Sequence, residues 1–208
     1  MLGGSFDPIH FGHLRLAEEA AHRLGLARVF LIPTRPWQRS TQADAHTRLH
    51  MAELACLGNR RLLVDRHEVD HAGPSYTVET LTHLRSRIGV TAPLWLILGA
   101  DAFLRLPSWK NWGELAGLCH IAVVPRPGVD LAADLPLELQ SWWQRRTSDV
   151  ATGAAGGLCV LNAPALEISA TAIRLMLREG RSPRYLLPDQ VLDYIELQGV
   201  YPQEVHEP

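Results

Sequence analysis

Short apolar runs alternate along this chain with segments in which apolar residues recur every three or four positions. Runs of this kind are typical of buried strands. They lie at residues 29–32, 62–64, 94–98, 121–124 and 159–161. The alternation indicates a parallel sheet wound by crossover helices, so we expect an α/β fold.

The intervening periodic segments predict six helices. The segments start or centre near His13, Leu49 and Val78 and at residues 139–146, 171–177 and 191–195. Glycines stand where four of these helices should end, at positions 25, 89, 180 and 199. We expect Ser75 to cap the third helix. Residues 126–157, rich in Pro, Gly, Ala and Asp, are interpreted as an insertion within a single domain that spans residues 1–208.

The composition suits one domain with a sizeable core, because 47% of the 208 residues are hydrophobic. No apolar run approaches the roughly 18 residues of a membrane span, and the N-terminus lacks the pattern of a signal peptide. A net charge of −2 argues against binding nucleic acid by bulk electrostatics. Cysteines 56, 119 and 159 have no metal-ligand spacing, so we expect buried, reduced thiols in a cytoplasmic protein.

The first candidate for chemistry is the segment Gly3-Gly4-Ser5-Phe6-Asp7-Pro8-Ile9-His10-Phe11-Gly12-His13. Gly3 and Gly4 are expected to adopt turn conformations and to let the backbone approach a nucleotide. The helix that follows offers N–H groups and the positive end of its dipole to an anion. His10 and His13 add donors for charge that develops on phosphorus. The segment therefore predicts a phosphate site.

This segment resembles the signature of the nucleotidylyltransferases that carry a His-x-Gly-His motif. Within that superfamily the chain is similar to the bacterial nicotinate-nucleotide adenylyltransferase family. Five further segments match in the family's order, at residues 75–81, 98–103, 106–109, 168–174 and 185–189. The resemblance implies a Rossmann-like, doubly wound parallel sheet of the nucleotidylyltransferase type, with a small C-terminal helical segment.

The family's reaction transfers the adenylyl group of ATP to nicotinate mononucleotide, on the route to NAD. The resemblance implies nicotinate adenine dinucleotide and pyrophosphate as products, with Mg²⁺ carried on the ATP phosphates rather than by a cluster of side chains. ATP and nicotinate mononucleotide are the expected partners, with neither nucleic acid nor membrane, and the oligomeric state is left open. The family has a strand before Gly3, where this chain has only Met1 and Leu2. Either that strand is a stub, or the recorded start lies inside the true protein.

The resemblance also implies roles for individual residues. The expected catalytic residues are His10, His13 and Arg174. The expected ATP-binding residues are Gly3, Gly4, Ser5, Phe6, His10, His13, Gly99, Asp101, Ile168, Ser169 and Arg174. The expected substrate-binding residues are Arg39, Thr77, Val78 and Trp109.

Local chemistry supports several of these roles. Ser169 can cap its helix, whose first turns carry Arg174, and this arrangement suits an anion. Trp109 can stack on a cationic pyridinium ring, while Trp112 is expected to pack in the core. The amides of residues 77 and 78 open a helix and suit a carboxylate, which favours the acid over the amide form of the base.

Two arginines are candidates for contacts with phosphate. Arg39 matches the family's basic phosphate contact by position and charge, whereas Arg48 is a weaker candidate that we interpret as a helix-surface residue.

A sister enzyme acting on nicotinamide mononucleotide or phosphopantetheine is the nearest alternative to this function. A class I aminoacyl-tRNA synthetase and a non-catalytic adenine-nucleotide sensor are the others, and turnover separates the sensor from an enzyme.

Overall fold

The computed structural model describes residues 1–35, 41–71, 73–126, 128–131, 133–147, 152–164 and 166–203. Six strands occur in these ranges: β1 (Leu2–Gly4), β2 (Val29–Pro33), β3 (Leu62–Val64), β4 (Trp95–Gly99), β5 (His120–Val124) and β6 (Leu158–Val160). They form one parallel sheet in the order β3-β2-β1-β4-β5-β6. Strand order reverses beside β1, as it does in doubly wound folds, so the predicted fold class is confirmed.

Helices lie between and after the strands. In the described ranges they are α1 (Phe11–Arg23), α2 (Ala45–Ala55), α3 (His67–Asp70), α4 (Thr77–Ile88), α5 (Ala100–Leu104), α6 (Leu115–Leu118), α7 (Leu137–Arg146), α8 (Ala170–Arg178) and α9 (Asp189–Gln198). Two 3-10 turns occupy Leu106–Ser108 and Trp112–Glu114. The six predicted helices are confirmed as α1, α2, α4, α7, α8 and α9. The three others span one turn or little more, which is too short for a periodic pattern to appear.

Two predicted helix boundaries were wrong. The first helix begins at Phe11 and has His10 as its N-cap, so it starts before His13. The third predicted helix, α4, has Tyr76 rather than Ser75 as its N-cap, and the Tyr76 side chain makes no capping hydrogen bond. A serine near the start of a helix, here two residues before it, is therefore an unreliable sign of the boundary, because the cap depends on the backbone angles of a single residue.

The chain folds into two compact units. The first comprises Met1–Leu2 and Ser75–Ala163, and the second comprises Gly3–Pro74 and Pro164–Pro208. In the first unit, β4, β5 and β6 carry buried aliphatic side chains such as Ile97 and Val123. Trp112 meets Trp142 edge-on at 6.2 Å between ring centroids, but it is half-buried and therefore packs at the edge of the core rather than in it.

The second unit has a core of aliphatic side chains between β2, β3 and their helices. Leu31, Ile32 and Met51 are fully buried there. Gly25 follows α1 with a φ of 61°, which is the left-handed conformation that glycine adopts at the end of a helix. Among the described residues, no helix is both long and apolar enough to cross a membrane.

The three cysteines form no disulfide bond in the described part of the chain. Cys119 and Cys159 are buried, whereas Cys56 is only partly so. Burial raises the pKa of Cys119 to about 12 and that of Cys56 to about 11. These two thiols therefore stay protonated near neutral pH, which makes them poor nucleophiles and poor metal ligands.

Arg48 is a buried residue of α2, so its interpretation as a helix-surface arginine was wrong. Its guanidinium donates hydrogen bonds to the carbonyl oxygens of Ser5 at 2.5 Å, Thr34 at 2.8 Å and Ala43 at 3.2 Å. With only 1% of its surface exposed, the side chain has no room for an external phosphate. Arg48 instead satisfies three backbone carbonyl groups, one in the loop after β1 and two in the loop between β2 and α2.

We expect Arg48→Met to lower the free energy of unfolding by about 2–4 kcal/mol, because three buried carbonyl groups lose a charged donor. Arg60→Met is the matched control, since Arg60 is exposed, and it should change stability by less than about 0.5 kcal/mol. Urea denaturation of the three proteins measures both effects. Equal midpoints would contradict the structural role of Arg48.

Candidate active site

The two glycines of β1 provide space rather than an unusual backbone conformation. A Cβ on Gly4 would lie 2.8 Å from Cε1 of Phe6, whereas a Cβ on Gly3 would make only an ordinary contact with Thr34. Both glycines have ordinary φ angles, and the residue of this loop with a positive φ is Phe6, at 48°. The expectation that Gly3 and Gly4 adopt special turn angles was therefore wrong. Gly4 is needed because the buried Phe6 ring folds back over it.

The two histidines of the motif stack on each other. The ring centroids of His10 and His13 are 3.7 Å apart with the planes inclined by 28°, and Phe6 meets His13 edge-on at 5.0 Å. A Cβ on Gly12 would lie 2.9 Å from Nδ1 of His10. The glycine between the histidines is thus required by the position of the His10 ring.

Burial and one hydrogen bond determine the protonation of the pair. His10 is 5% exposed, and burial lowers its pKa to about 4, so its imidazole is neutral at pH 7. The backbone N–H of His10 donates to Nδ1 of His13 at 3.3 Å. Because an accepting nitrogen carries no proton, neutral His13 has its proton on Nε2. His10 can therefore offer a neutral N–H donor, and His13 can donate from Nε2 because its Nδ1 accepts a hydrogen bond.

Arg174 reaches the same loop from α8. Its Nη1 donates to the carbonyl oxygen of Asp7 at 2.6 Å, and its Nη2 donates to Oγ1 of Thr171 at 3.3 Å. Ser169 caps α8 as predicted, because its Oγ accepts from the amide of Ala172 at 3.1 Å. The Nε atom of Arg174 and Nδ1 of His10 are both buried without a hydrogen-bond partner in the described part of the chain. The structure thus brings three predicted residues, His10, His13 and Arg174, into one unit beside one loop.

The N-terminus of α1 offers fewer amides than the sequence suggests. The amide of Phe11 donates to the carbonyl of Leu186 at 3.0 Å, so it is unavailable to an anion. The amides of His13 and Leu14 donate to the His10 carbonyl. Side chains, rather than the first amides of this helix, therefore supply most of the donors at the loop.

Asp7 is the residue of this loop that the sequence-based prediction missed. Its carboxylate accepts hydrogen bonds from the amides of Gln42 at 2.8 Å and Ala43 at 3.1 Å and from the phenol of Tyr201 at 2.7 Å. Asp7 does lie inside the recognised motif, which is the one signal that could have drawn attention to it. Its partners along the chain are not visible in any local pattern.

A cavity of about 540 Å³ lies against the outer face of α1 in the second unit. Its lining is mainly apolar and includes Phe11, Leu14, Leu62, Ile168 and Tyr185. Of the predicted ATP-binding residues, Ile168 alone lines this cavity. The cavity therefore adjoins the histidine loop at Phe11, but most of the predicted ATP-binding residues do not line it.

In the first unit, Asp101 has a partner that the sequence did not indicate. Asp101 is the second residue of α5, and its Oδ2 accepts from Nη1 of Arg126 at 2.6 Å. Gly99 is the N-cap of α5, and a Cβ there would make only an ordinary contact with the Arg126 guanidinium. Packing of the protein itself therefore does not require glycine at position 99.

Thr77 and Val78 are the first two residues of α4, whose leading amides have no partner within the helix. Lys110, the only lysine, lies at this helix end: its Nζ is 4.1 Å from the centroid of the Tyr76 ring and 2.8 Å from Oε1 of Glu79. The hydrogen bond to Glu79 raises the pKa of Lys110, so the lysine stays charged. Sequence analysis did not connect Lys110 with this helix.

Trp109 ends the 3-10 turn Leu106–Ser108 and is half-buried, which leaves part of its ring exposed. Arg39 lies outside the described residues. Among the residues that are described, no group of three or more His, Cys, Asp or Glu side chains is arranged to hold a metal ion.

Comparison with known proteins identifies the class to which this fold and loop belong. A model of the cytidylyltransferase-like family matches residues 1–176. A solved structure titled "Plasmodium falciparum nicotinic acid mononucleotide adenylyltransferase complexed with NaAD" superposes with a TM-score of 0.72 at 17% identity, covering 99% of this chain and 97% of that one. At 17% identity, the likeness to this solved structure shows that the two chains share a fold.

Curated relatives narrow the assignment. A protein of Acidithiobacillus ferrooxidans named "Probable nicotinate-nucleotide adenylyltransferase" is 46% identical over 207 residues, which is 97% of this chain and 94% of the relative. A protein of Dechloromonas aromatica with the same name is 45% identical over 208 residues, covering 97% and 96%. The chain therefore belongs to the cytidylyltransferase-like family and, within it, to the nicotinate-nucleotide adenylyltransferases.

Burial of His10 predicts a loss of stability in acid. The folded pKa of about 4 lies below the roughly 6.5 of an exposed imidazole, so the unfolded chain binds more protons between these values. The contribution of His10 is complete above pH 6.5 and is lost as the pH falls to 4, to the extent of about 3 kcal/mol. His10→Gln, which does not titrate, should flatten this part of the pH profile. Parallel profiles for the two proteins in urea denaturation would contradict the prediction.

Proposed function

We propose that this chain transfers the adenylyl group of ATP to the phosphate of nicotinate mononucleotide. A phosphate oxygen of the mononucleotide attacks the α-phosphorus of ATP. The bond between that phosphorus and the oxygen that bridges it to the β-phosphate breaks. Nicotinate adenine dinucleotide and pyrophosphate are the products. The main support for the proposal is the stacked His10–His13 pair, together with Arg174, which binds the Asp7 carbonyl in the loop before it, in a chain 46% identical to a relative named for this activity.

The phosphate chemistry needs donors that are in position before charge develops, and the second unit supplies them. Neutral His13 has Nε2–H as its donor, and His10 is kept neutral by burial. Arg174 adds a permanent positive charge whose orientation is set by Asp7 and Thr171. We assign these three residues to stabilising the transferring phosphate and its leaving group. Gly3, Gly4, Ser5, Phe6, Ile168 and Ser169 are assigned to holding ATP around them.

The pyridine base is assigned to residues of the first unit. The leading amides of α4, from Thr77 and Val78, are suited to its carboxylate, since helix N-termini favour anions. Trp109 offers a partly exposed ring to the cationic pyridinium. A neutral carboxamide would gain less at this helix end, so we expect the acid form to be preferred over the amide.

The remaining assignments rest on the family match. We assign Gly99 and Asp101 to the ribose or adenine edge and Arg39 to a phosphate. Mg²⁺ enters as part of the substrate, bound to the phosphates of ATP. The protonated thiols of Cys56 and Cys119 agree with a protein that works in the cytoplasm, where thiols stay reduced.

Pyrophosphate release from Mg²⁺-ATP tests the proposal, with nicotinate mononucleotide, nicotinamide mononucleotide and phosphopantetheine offered separately. We expect release with the first and much less with the others. His13→Ala should lower kcat by roughly 100-fold or more, because it removes a donor to the developing charge. His22→Ala is the control, since His22 is an exposed residue of the same helix. Release with a different acceptor would retain the phosphate chemistry but overturn the base assignment, and ATP binding without any release would favour a sensor.

Trp109→Ala should raise the KM for nicotinate mononucleotide about tenfold, because the pyridinium loses its aromatic face, while the KM for ATP stays within about twofold. Trp112→Ala provides the comparison, because Trp112 packs on Trp142 and should affect the melting temperature instead of KM. Steady-state kinetics with each substrate varied in turn distinguish the two residues. An effect of Trp109→Ala confined to ATP would contradict the stacking role.

A further inference from the structure

Tyr201 lies almost 200 residues after the phosphate loop, yet it contacts that loop directly. It follows α9 after Gly199, whose φ of 60° ends the helix, and it is 5% exposed. Its phenol donates to Oδ1 of Asp7 at 2.7 Å. The C-terminal part of the second unit is thereby tied to the loop that carries His10 and His13.

The hydrogen bond from Tyr201 to Asp7 belongs to a network that also includes Arg174. Oδ1 of Asp7 also accepts from the amide of Ala43, and Oδ2 accepts from the amide of Gln42. Nη1 of Arg174 donates to the Asp7 carbonyl oxygen and lies 3.9 Å from Oδ2. Asp7 thus accepts a hydrogen bond from Tyr201 at its carboxylate and one from Arg174 at its backbone carbonyl.

Protonation of Tyr201 is insensitive to the working pH. Burial, followed by the hydrogen bond to the Asp7 carboxylate, raises the pKa of the phenol far above its ordinary value. The hydroxyl therefore keeps its proton near neutral pH and donates a hydrogen bond to Asp7. The bond is a fixed support and not a pH switch.

We propose that Tyr201 is a positioning residue for the phosphate site, acting through Asp7 on Arg174. This inference rests on the proposed adenylyl transfer, because Arg174 is assigned there to the transferring phosphate. Loss of the phenol hydroxyl leaves Asp7 with two of its three donors, so the Asp7 backbone and the guanidinium bound to it become less well placed. Tyr201 itself touches no substrate and is not a catalytic residue.

A double-mutant cycle between Tyr201→Phe and Arg174→Lys separates positioning from a general structural role. Tyr201→Phe should lower kcat/KM for ATP about tenfold in the unaltered chain but less than about twofold in the Arg174→Lys background, because its effect passes through the arginine. Its KM for nicotinate mononucleotide should stay unchanged. Tyr194→Phe is the matched control on α9, where Tyr194 contacts His50 and not the loop, and it should leave all constants unchanged.

Equal fold losses in both backgrounds would overturn the positioning role, as would normal kinetics of Tyr201→Phe. All rates are measured at least 20 °C below the lowest melting temperature, so that an unstable variant still gives a decisive result. If the unaltered chain turns over no acceptor, the proposed function fails, and the same cycle is then run on the dissociation constant for Mg²⁺-ATP by calorimetry. Coupling between Tyr201→Phe and Arg174→Lys in this dissociation constant would support the positioning role even without turnover. Absence of ATP binding by the unaltered chain would overturn both proposals.

Discussion

The buried carboxylate of Asp7 is the group on which the candidate site depends. A carboxylate removed from water is tolerated only where donors and a positive charge surround it. Here the amides of Gln42 and Ala43, the phenol of Tyr201 and the nearby guanidinium of Arg174 meet that requirement. These partners come from separate stretches of the chain, so the loop reaches its final geometry only when the whole unit has folded. Assembly of the candidate site therefore depends on the folding of this unit.

Packing also sets the chemistry of the histidine pair. Gly12 leaves room for the His10 ring, which stacks on His13 and is excluded from water. Exclusion from water keeps His10 neutral, and the His10 amide places the proton of neutral His13 on Nε2. The two histidines that the sequence predicts as phosphate donors thus form a stacked pair with fixed orientation, in which His10 is neutral. The positive charge at this loop is left to the guanidinium of Arg174.

The fold was largely predictable because its strands are buried on both faces. Such strands appear as continuous apolar runs, and all five predicted strands agree with the structure to within one residue at each end. Longer helices were equally visible through their periodicity. Short helices such as α3, α5 and α6 were missed, since four or five residues contain too little pattern. The cap of α4 was assigned to Ser75 by residue type, whereas backbone geometry selects Tyr76.

The sequence by itself determined the fold class, the family and the histidine motif, because each is written in neighbouring residues or in a fixed order of short segments. Only the tertiary structure decided which groups support that motif. Asp7 meets Gln42, Arg174 and Tyr201 across separations of 35, 167 and 194 residues. Likewise, Arg48 proves to be a buried support for three carbonyl groups, although its helix position suggested solvent. Periodicity reports which face of an element is apolar, whereas the partner of a buried charge is set by which distant segments the fold brings beside it.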